Sequence, residues 1–219
     1  MKKKISKATL ERMPYYYSTL KKIEEADGGK HIFPVGEKII SSSELAAILG
    51  FSPEQVRKDI AELGQFGVKG AGYRFDRLRR AIEKVLGLQY RWYVAIFGAG
   101  RLGSALAYGD DFQRLGFTVT ALFDVDENLI GKKINDVKVY NFADLNSVAK
   151  RKIIDIGVIT VPEDSAQIVA DSLIQAGIKG IWNFTAAKLT VPPEVAVVNE
   201  NLSMSLMNIS CRLSLVNSK

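Results

Sequence analysis

The 219-residue sequence predicts an α/β protein in two parts. Residues 1–88 read as a winged-helix (helix-turn-helix) domain and residues 89–201 as a Rossmann-like parallel-sheet domain, with a terminal helix over 202–219. Three observations predict this. Two helix-start signals follow each other closely between Ser41 and Gln55. A strand pattern runs straight into G-x-G-x-x-G at Gly98–Gly103. Strand and helix patterns then alternate as far as residue 184, which implies a parallel sheet with right-handed crossovers.

Charge separates the two parts. Residues 1–90 hold 17 Lys and Arg against 11 Asp and Glu, and the remaining residues hold 13 of each, so the whole excess of +6 lies in the first part. A positive face attracts polyanions by releasing their counterions. The basic start Met1-Lys2-Lys3-Lys4 has no apolar stretch behind it, so no signal peptide is expected. No apolar run reaches the roughly 18 residues of a membrane span, so no membrane association is expected. Cys211 is the only cysteine, which excludes an intrachain disulfide framework and fits a cytoplasmic location.

In the first part, residues 7–26 read as a helix interrupted by Pro14, through a kink or a late start. The loop Asp27-Gly28-Gly29-Lys30 ends it, and a short strand is expected over 33–40. Ser41 and Glu44 have capping-box spacing, Leu45, Ile48 and Leu49 give one apolar face, and Gly50 is placed to end the helix. Ser52 then caps a second helix, with Pro53 in its first position and Gln55 expected to complete a capping box. Val56, Ile60 and Leu63 face inward, leaving Gln55, Arg57 and Lys58 on the flanks and outer face. Two helices joined by a tight turn form a helix-turn-helix. Arg reads guanine bidentately, Gln reads adenine, and Lys serves phosphate or base. Residues 68–75 read as a wing, with glycines for its turn and Lys69 or Arg74 to reach a groove or phosphate. The expected contacts to double-stranded DNA are Ser52, Gln55, Arg57, Lys58, Lys69, Gly70 and Tyr73.

In the second part, residues 92–97 form a strand by composition, followed by Gly98-Ala99-Gly100-Arg101-Leu102-Gly103 and a helix through Leu106. Gly98 suits the tight turn, Gly100 the approach of a pyrophosphate, and Gly103 close packing of helix on strand. The helix start offers free N–H groups to phosphates. A second strand over 117–123 ends at Asp124, where an acid binds the adenosine ribose, with Val125 beside it. Asp126 and Glu127 follow with no Arg, which favours NAD(H) over NADP(H). Another adenine nucleotide, such as coenzyme A, is the alternative. Further elements are a strand at 137–140, a helix near 142–150, a strand at 153–161 ended by Pro162, a helix at 163–176 stopped by Gly177, and a strand at 179–184. Ligands bind such sheets beyond the carboxyl ends of the strands. That adds Thr160, Val161 and Pro162 at one end and Asn183, Phe184 and Thr185 at another.

Residues 202–216 place Leu202, Leu206, Ile209, Leu213 and Val216 at helical spacing. This helix either folds back on its own domain or packs on a second subunit, and a dimer suits a helix-turn-helix protein. The single His31 reads as a solvated loop residue and Cys211 as buried packing. Clustered metal ligands are absent, and no acid–base residue stands out for a dehydrogenase, so neither a metal site nor an enzyme is expected.

The segments SSSELAAILGFSPEQVRKDI, LGQFGVKGAGY, LGLQYRWYVAIFGAGRLGSALA, ALFDVD, ITVPEDSAQIVADSLIQAGIKGIWNF and KLTVPPEVAV together resemble the redox-sensing repressor Rex family along nearly the whole chain. The resemblance implies a homodimer on a palindromic operator, with terminal helices swapped between subunits. It also implies repression of fermentation and respiration genes, released when NADH rises relative to NAD+. Tyr108 matches a family tyrosine near the nicotinamide, and Pro162 and Phe184 are expected to wall that ring. The chain departs from the family pattern at three places. Ala61-Glu62 stand for Ser-Tyr, Ser18 for an Arg after the Tyr16-Tyr17 pair, and Asn201 for an Asp before the terminal helix.

Overall fold

The computed structural model describes residues 5–26, 38–68 and 70–217, and the chain divides between Tyr90 and Arg91 into two units. His31, the loop at 27–30, most of the strand expected at 33–40, and Lys69 lie outside the described residues.

In the first unit, α1 (Lys7–Ala26) runs through Pro14 from a start at Lys7, so the late start is not seen. Met13, Tyr16 and Leu20 recur on one helical face and are fully buried. The short β1 (Ile39–Ile40) precedes α2 (Ser42–Leu49). Ser41 caps α2 with a reciprocal capping box, and Gly50 ends it at φ 70°, a left-handed conformation that favours glycine. After Phe51, α3 (Pro53–Leu63) starts at Ser52, whose Oγ accepts from the Gln55 N–H at 3.1 Å. The strands β2 (Gly67–Val68) and β3 (Gly72–Arg74) form an antiparallel wing, and β1 pairs with the other edge of β3. The wing runs into α4 (Phe75–Val85), which the sequence expectations do not include, although Phe75, Leu78 and Ile82 stand at helical spacing and are buried. These apolar faces meet in one core, to which Leu45, Val56 and Ile60 also belong.

The second unit alternates as expected. Its elements are β4 (Trp92–Phe97), α5 (Arg101–Ala107), α6 (Asp110–Arg114), β5 (Phe117–Asp124), β6 (Lys133–Ile134), β7 (Val137–Asn141), α7 (Leu145–Ala149), β8 (Ile156–Ile159), α8 (Glu163–Gln175), β9 (Gly180–Asn183), β10 (Ala196–Asn199) and α9 (Leu202–Asn217). Strands β8 and β9 are shorter than the expected strands, and α6, β6 and β10 are in addition to the expected elements. The sheet order is β10-β9-β8-β4-β5-β7-β6, parallel except for the β6–β7 hairpin. Counting β4 as the first strand and β6–β7 as the third, this is the dinucleotide-fold order 3-2-1-4-5-6. Alternation along β4 buries Ala95 and Phe97 on one face of the sheet and Val94 and Ile96 on the other. Layers cover both faces, as parallel sheets require.

The chain winds outward from β4 through β5 to β7, then returns to β8 and continues through β9 to β10. The strand order reverses between β4 and β8. Register aligns Phe97 with Phe123 and Ile159, and Ile159 with Asn183. The next residues, Gly98, Asp124, Thr160 and Phe184, therefore share the row at the carboxyl edge.

Candidate functional site

A cleft of ≈ 460 Å³ opens at this reversal point. It is lined by Gly98 and Gly100 after β4, Asp124 and Val125 at β5, Thr160, Val161 and Pro162 after β8, and Ser165, Ile168 and Val169 on α8. Phe97, Phe123 and Phe142 complete it. Phe97 and Phe123 stack at 4.8 Å and Phe142 meets Phe97 edge-on at 6.3 Å, so the aromatic wall is held by its own packing. These aromatics and the α8 residues were missed from the sequence because their strand and helix patterns read equally well as core.

The three glycines differ in their surroundings. Gly98 sits at φ 99°, and a Cβ there would lie 2.8 Å from the Thr160 carbonyl oxygen. A Cβ on Gly103 would lie 1.9 Å from the Gly98 oxygen, so only hydrogen lets α5 seat against the turn. A Cβ on Gly100 would meet nothing within 4 Å, and that open space lies in the cleft. This is the pattern a pyrophosphate-binding turn needs, with two glycines for packing and one for approach. The first N–H groups of α5 have no partner within their own helix, as at any helix start.

Asp124 is half-buried and ties the turn together. Its Oδ2 accepts from the Ala99 N–H at 2.6 Å, and its Oδ1 accepts from the Val125 and Asp126 N–H groups at 2.8 and 2.9 Å. A carboxylate offers about four acceptor positions, so one remains on Oδ2 for a sugar hydroxyl. Thr160 Oγ1 donates to the Phe97 and Gly98 carbonyls at 3.0 and 2.8 Å, clamping β8 to the turn.

Other expected residues fall elsewhere. Asn183 is a correction: its side chain is fully buried and saturated within the fold. Its Nδ2 donates to the Ala187 carbonyl and Asn199 Oδ1, while its Oδ1 accepts from the Thr185 N–H and Oγ1. Asn183 and Thr185 therefore tie β9 to β10 and the following loop. Phe184 packs on Trp182 at 4.5 Å and lies outside the cleft lining. Tyr108, at the end of α5, is 60% exposed and also outside it. Arg101 and Leu102 are exposed on the first turn of α5, and Ala99 is buried.

In the first unit the structure brings the helix-turn-helix and wing together in one fold. Ser52, Arg57 and Lys58 are exposed on α3, and Gly70 is exposed at the wing turn. Arg57 Nη1 donates to Ser42 Oγ at 3.3 Å, and Lys58 pairs with Glu54 at 2.8 Å on the exposed surface. Such exposed pairs are screened by water and hold their partners only weakly. Tyr73 is half-buried against the core, and burial pushes its hydroxyl pKa up. Gln55 is a correction. Its side chain does not return to cap Ser52 but donates to Asp59 Oδ1 at 2.8 Å.

Asp59, on the same helix, is a further residue that sequence reasoning missed. It is 1% exposed, with Arg12 donating to both its oxygens at 2.6 and 2.7 Å and Tyr16 and Thr9 adding bonds from α1. Burial alone would push its pKa up, but the bonds from Arg12, Gln55 and Tyr16 hold it below the usual carboxylate value. Glu62 also turns to α1, where Oε2 accepts from the Ser6 N–H at 2.8 Å. The acid in place of a hydroxyl residue therefore serves an internal bond.

The terminal helix is capped by Asn201, whose Oδ1 accepts from the Ser203 and Met204 N–H groups. Leu202, Met204, Leu206, Met207, Ile209, Leu213 and Leu215 on α9 are each more than half exposed. Cys211 is exposed too, which corrects its reading as buried packing. Among the described residues, no helix is long and apolar enough to cross a membrane, and no acidic, His or Cys group is arranged to hold a metal ion.

Residues 4–61 match the family described as putative DNA-binding protein N-terminus, and residues 89–187 match the CoA binding domain. The redox-sensing transcriptional repressor Rex of Clostridium botulinum strain Hall is 40% identical over 213 residues, covering 97% of each chain. That of Clostridium acetobutylicum is 38% identical over 216 residues, covering 99% of this chain and 97% of the relative. A crystal structure of RSP in complex with β-NAD+ and operator DNA superposes with a TM-score of 0.88 at 37% identity, covering 98% of this chain and 94% of that one. RSP in complex with β-NADH gives 0.84 at 36% identity, over 97% and 96%.

Proposed function

The chain belongs to the Rex family of redox-sensing transcriptional repressors, and we propose that it is an NAD(H)-responsive repressor that leaves its operator when NADH rises relative to NAD+. It is a regulator and not an enzyme. One observation carries the reading: a single chain joins a helix-turn-helix and wing to a dinucleotide cleft with the full glycine and acid pattern.

The cofactor is NAD(H), whose bound group supplies a redox-dependent ring charge. The open face of Gly100 takes the pyrophosphate and the remaining acceptor position of Asp124 takes a ribose hydroxyl. The same carboxylate disfavours a phosphate on that ribose, as NADP(H) or coenzyme A would bring there. Val161 and Pro162 offer the apolar contact that suits a neutral ring. On the DNA side, Arg57 and Lys58 reach bases or adjacent phosphates, with Ser52, Gly70 and Lys69 along the backbone. The uncovered apolar residues of α9 support a homodimer formed through that helix, which places paired recognition helices on a palindrome in the cytoplasm.

A ligand shifts an equilibrium only through differential affinity for its two states. Moving the population from 99:1 in favour of one state to 99:1 in favour of the other needs about 5.5 kcal/mol of preference. Titrating the protein on a Rex-type palindromic duplex with NADH, and separately with NAD+, tests the reading. Release by NADH alone is expected. Equal operator affinity at saturation with either cofactor refutes redox sensing, and cofactor turnover without DNA binding refutes the repressor.

A further inference from the structure

Asp59 stands on α3, the helix that the proposed function sets against the operator, yet its carboxylate faces the interior. Oδ1 accepts from Arg12 Nη2 at 2.6 Å, Gln55 Nε2 at 2.8 Å and Thr9 Oγ1 at 3.3 Å, and Oδ2 accepts from Arg12 Nε at 2.7 Å and the Tyr16 hydroxyl at 3.0 Å. Three residues of α1 supply four of these bonds and fix the carboxylate. The fourth residue, Gln55, belongs to the first turn of α3, one turn before Asp59. A buried charge pair is weak evidence for stability, because an apolar pair of similar volume commonly does as well. The arrangement therefore calls for another role.

An ionised carboxylate only accepts hydrogen bonds, so the nitrogen of the Gln55 amide, and not its oxygen, must face it. One N–H is thereby used. The other N–H and Oε1 remain, and that donor–acceptor pair matches N7 and the N6 amino group of adenine. The first turn of a recognition helix is also where side chains reach base edges. We propose that Asp59, locked by Arg12, is a positioning residue that orients the Gln55 carboxamide to read one adenine in each operator half-site. Gln55 is the specificity-determining group, and its fixed amide loses less rotamer freedom on binding than a free one. The proposal rests on α3 being the recognition helix.

The test selects duplexes from a randomised pool on the full-length protein, then repeats the selection with Gln55→Met, Asp59→Asn and the double variant. Wild type is expected to enrich adenine at one symmetry-related pair of positions. Each single variant should lose that preference by about 5- to 100-fold while preferences elsewhere stay. The double variant should lose no more than either single one. A Gln55→Met protein that keeps every adenine preference overturns the proposal. So does an Asp59→Asn protein that weakens all positions alike, as a purely structural residue would. If Asp59→Asn does not fold, Arg12→Lys keeps the charge but loses the two-pronged hold. It must show the same position-specific loss, and uniform weakening there overturns the proposal equally. A wild-type protein that selects no sequence at all refutes the DNA-binding reading itself.

Discussion

Alanine at Gly103 and at Gly100 should separate folding from binding, although both belong to one motif. At Gly103 the new Cβ would lie 1.9 Å from the Gly98 oxygen, where ordinary contact begins at 3.4 Å, a shortfall of 1.5 Å. Either α5 slides away from the turn or the Gly98 carbonyl swings. A swing gives up the 2.8 Å bond from Thr160 Oγ1. Overpacking of this kind costs about 1–3 kcal/mol and a lost hydrogen bond about 1 more. Alanine regains about 1 kcal/mol of helix propensity, too little to offset both. The melting temperature of Gly103→Ala should therefore fall by roughly 5–15 °C for a domain of this size. Gly100 has φ −67° and open space at its Cβ, so Gly100→Ala should melt with the wild type. The same methyl stands where a pyrophosphate would approach, and NADH affinity should drop about tenfold or more. Thermal melts and calorimetric titration of both variants check this. A Gly103→Ala protein as stable as wild type, or a Gly100→Ala protein destabilised to the same degree, would refute the division of roles.

Asp124→Ala should abolish the preference for NADH over NADPH in calorimetry, and an unchanged affinity ratio would remove Asp124 from the ribose site. Arg12→Met leaves Asp59 buried without its cation and should cost about 3 kcal/mol in chemical denaturation. The folded pKa of Asp59 lies below its ordinary value of 3.8, so its contribution is present above that pH and is lost as pH falls through the lowered value. An acid titration of stability should show this drop in wild type and not in Asp59→Asn. Leu206 and Leu213 lie two turns apart on α9 and are 68% and 57% exposed. In a symmetric dimer each is buried twice, so Leu206→Glu with Leu213→Glu should weaken dimerisation about a hundredfold or more by sedimentation equilibrium.

The legible features were the local ones. Ser41 with Glu44, and Ser52 with Pro53, declare helix starts within four residues. The Gly98–Gly103 spacing is dictated by one turn, and Asp124 by the length of one helix and strand. Helix α4 is equally legible from Phe75, Leu78 and Ile82, but its first residue directly follows β3, so the wing pattern overlaps its start. Edge strand β10 and the Asn183–Asn199 bond were not legible, because a parallel edge pairing joins residues with no local signature.

The recognition helix shows the same boundary more sharply. A helical wheel marks Gln55, Asp59 and Glu62 as polar and therefore outward. In the structure Asp59 is buried by Arg12, 47 residues earlier, and Glu62 bonds to Ser6, 56 residues earlier. Both partners lie on or beside α1, whose packing against α3 no spacing rule within either helix predicts. The polar residues of α3 thus divide between two tasks. Arg57 and Lys58 keep their heads in solvent, while Asp59 and Glu62 bond to residues on or beside α1. Substitutions at Glu62 should therefore act on operator binding through the position of α3, substitutions at Asp59 through the Gln55 amide it holds, and substitutions at Arg57 or Lys58 through the contact itself. Salt dependence distinguishes them. Losing a phosphate contact lowers the slope of log affinity against log salt by about one unit, and repositioning the helix within the same contacts leaves that slope unchanged.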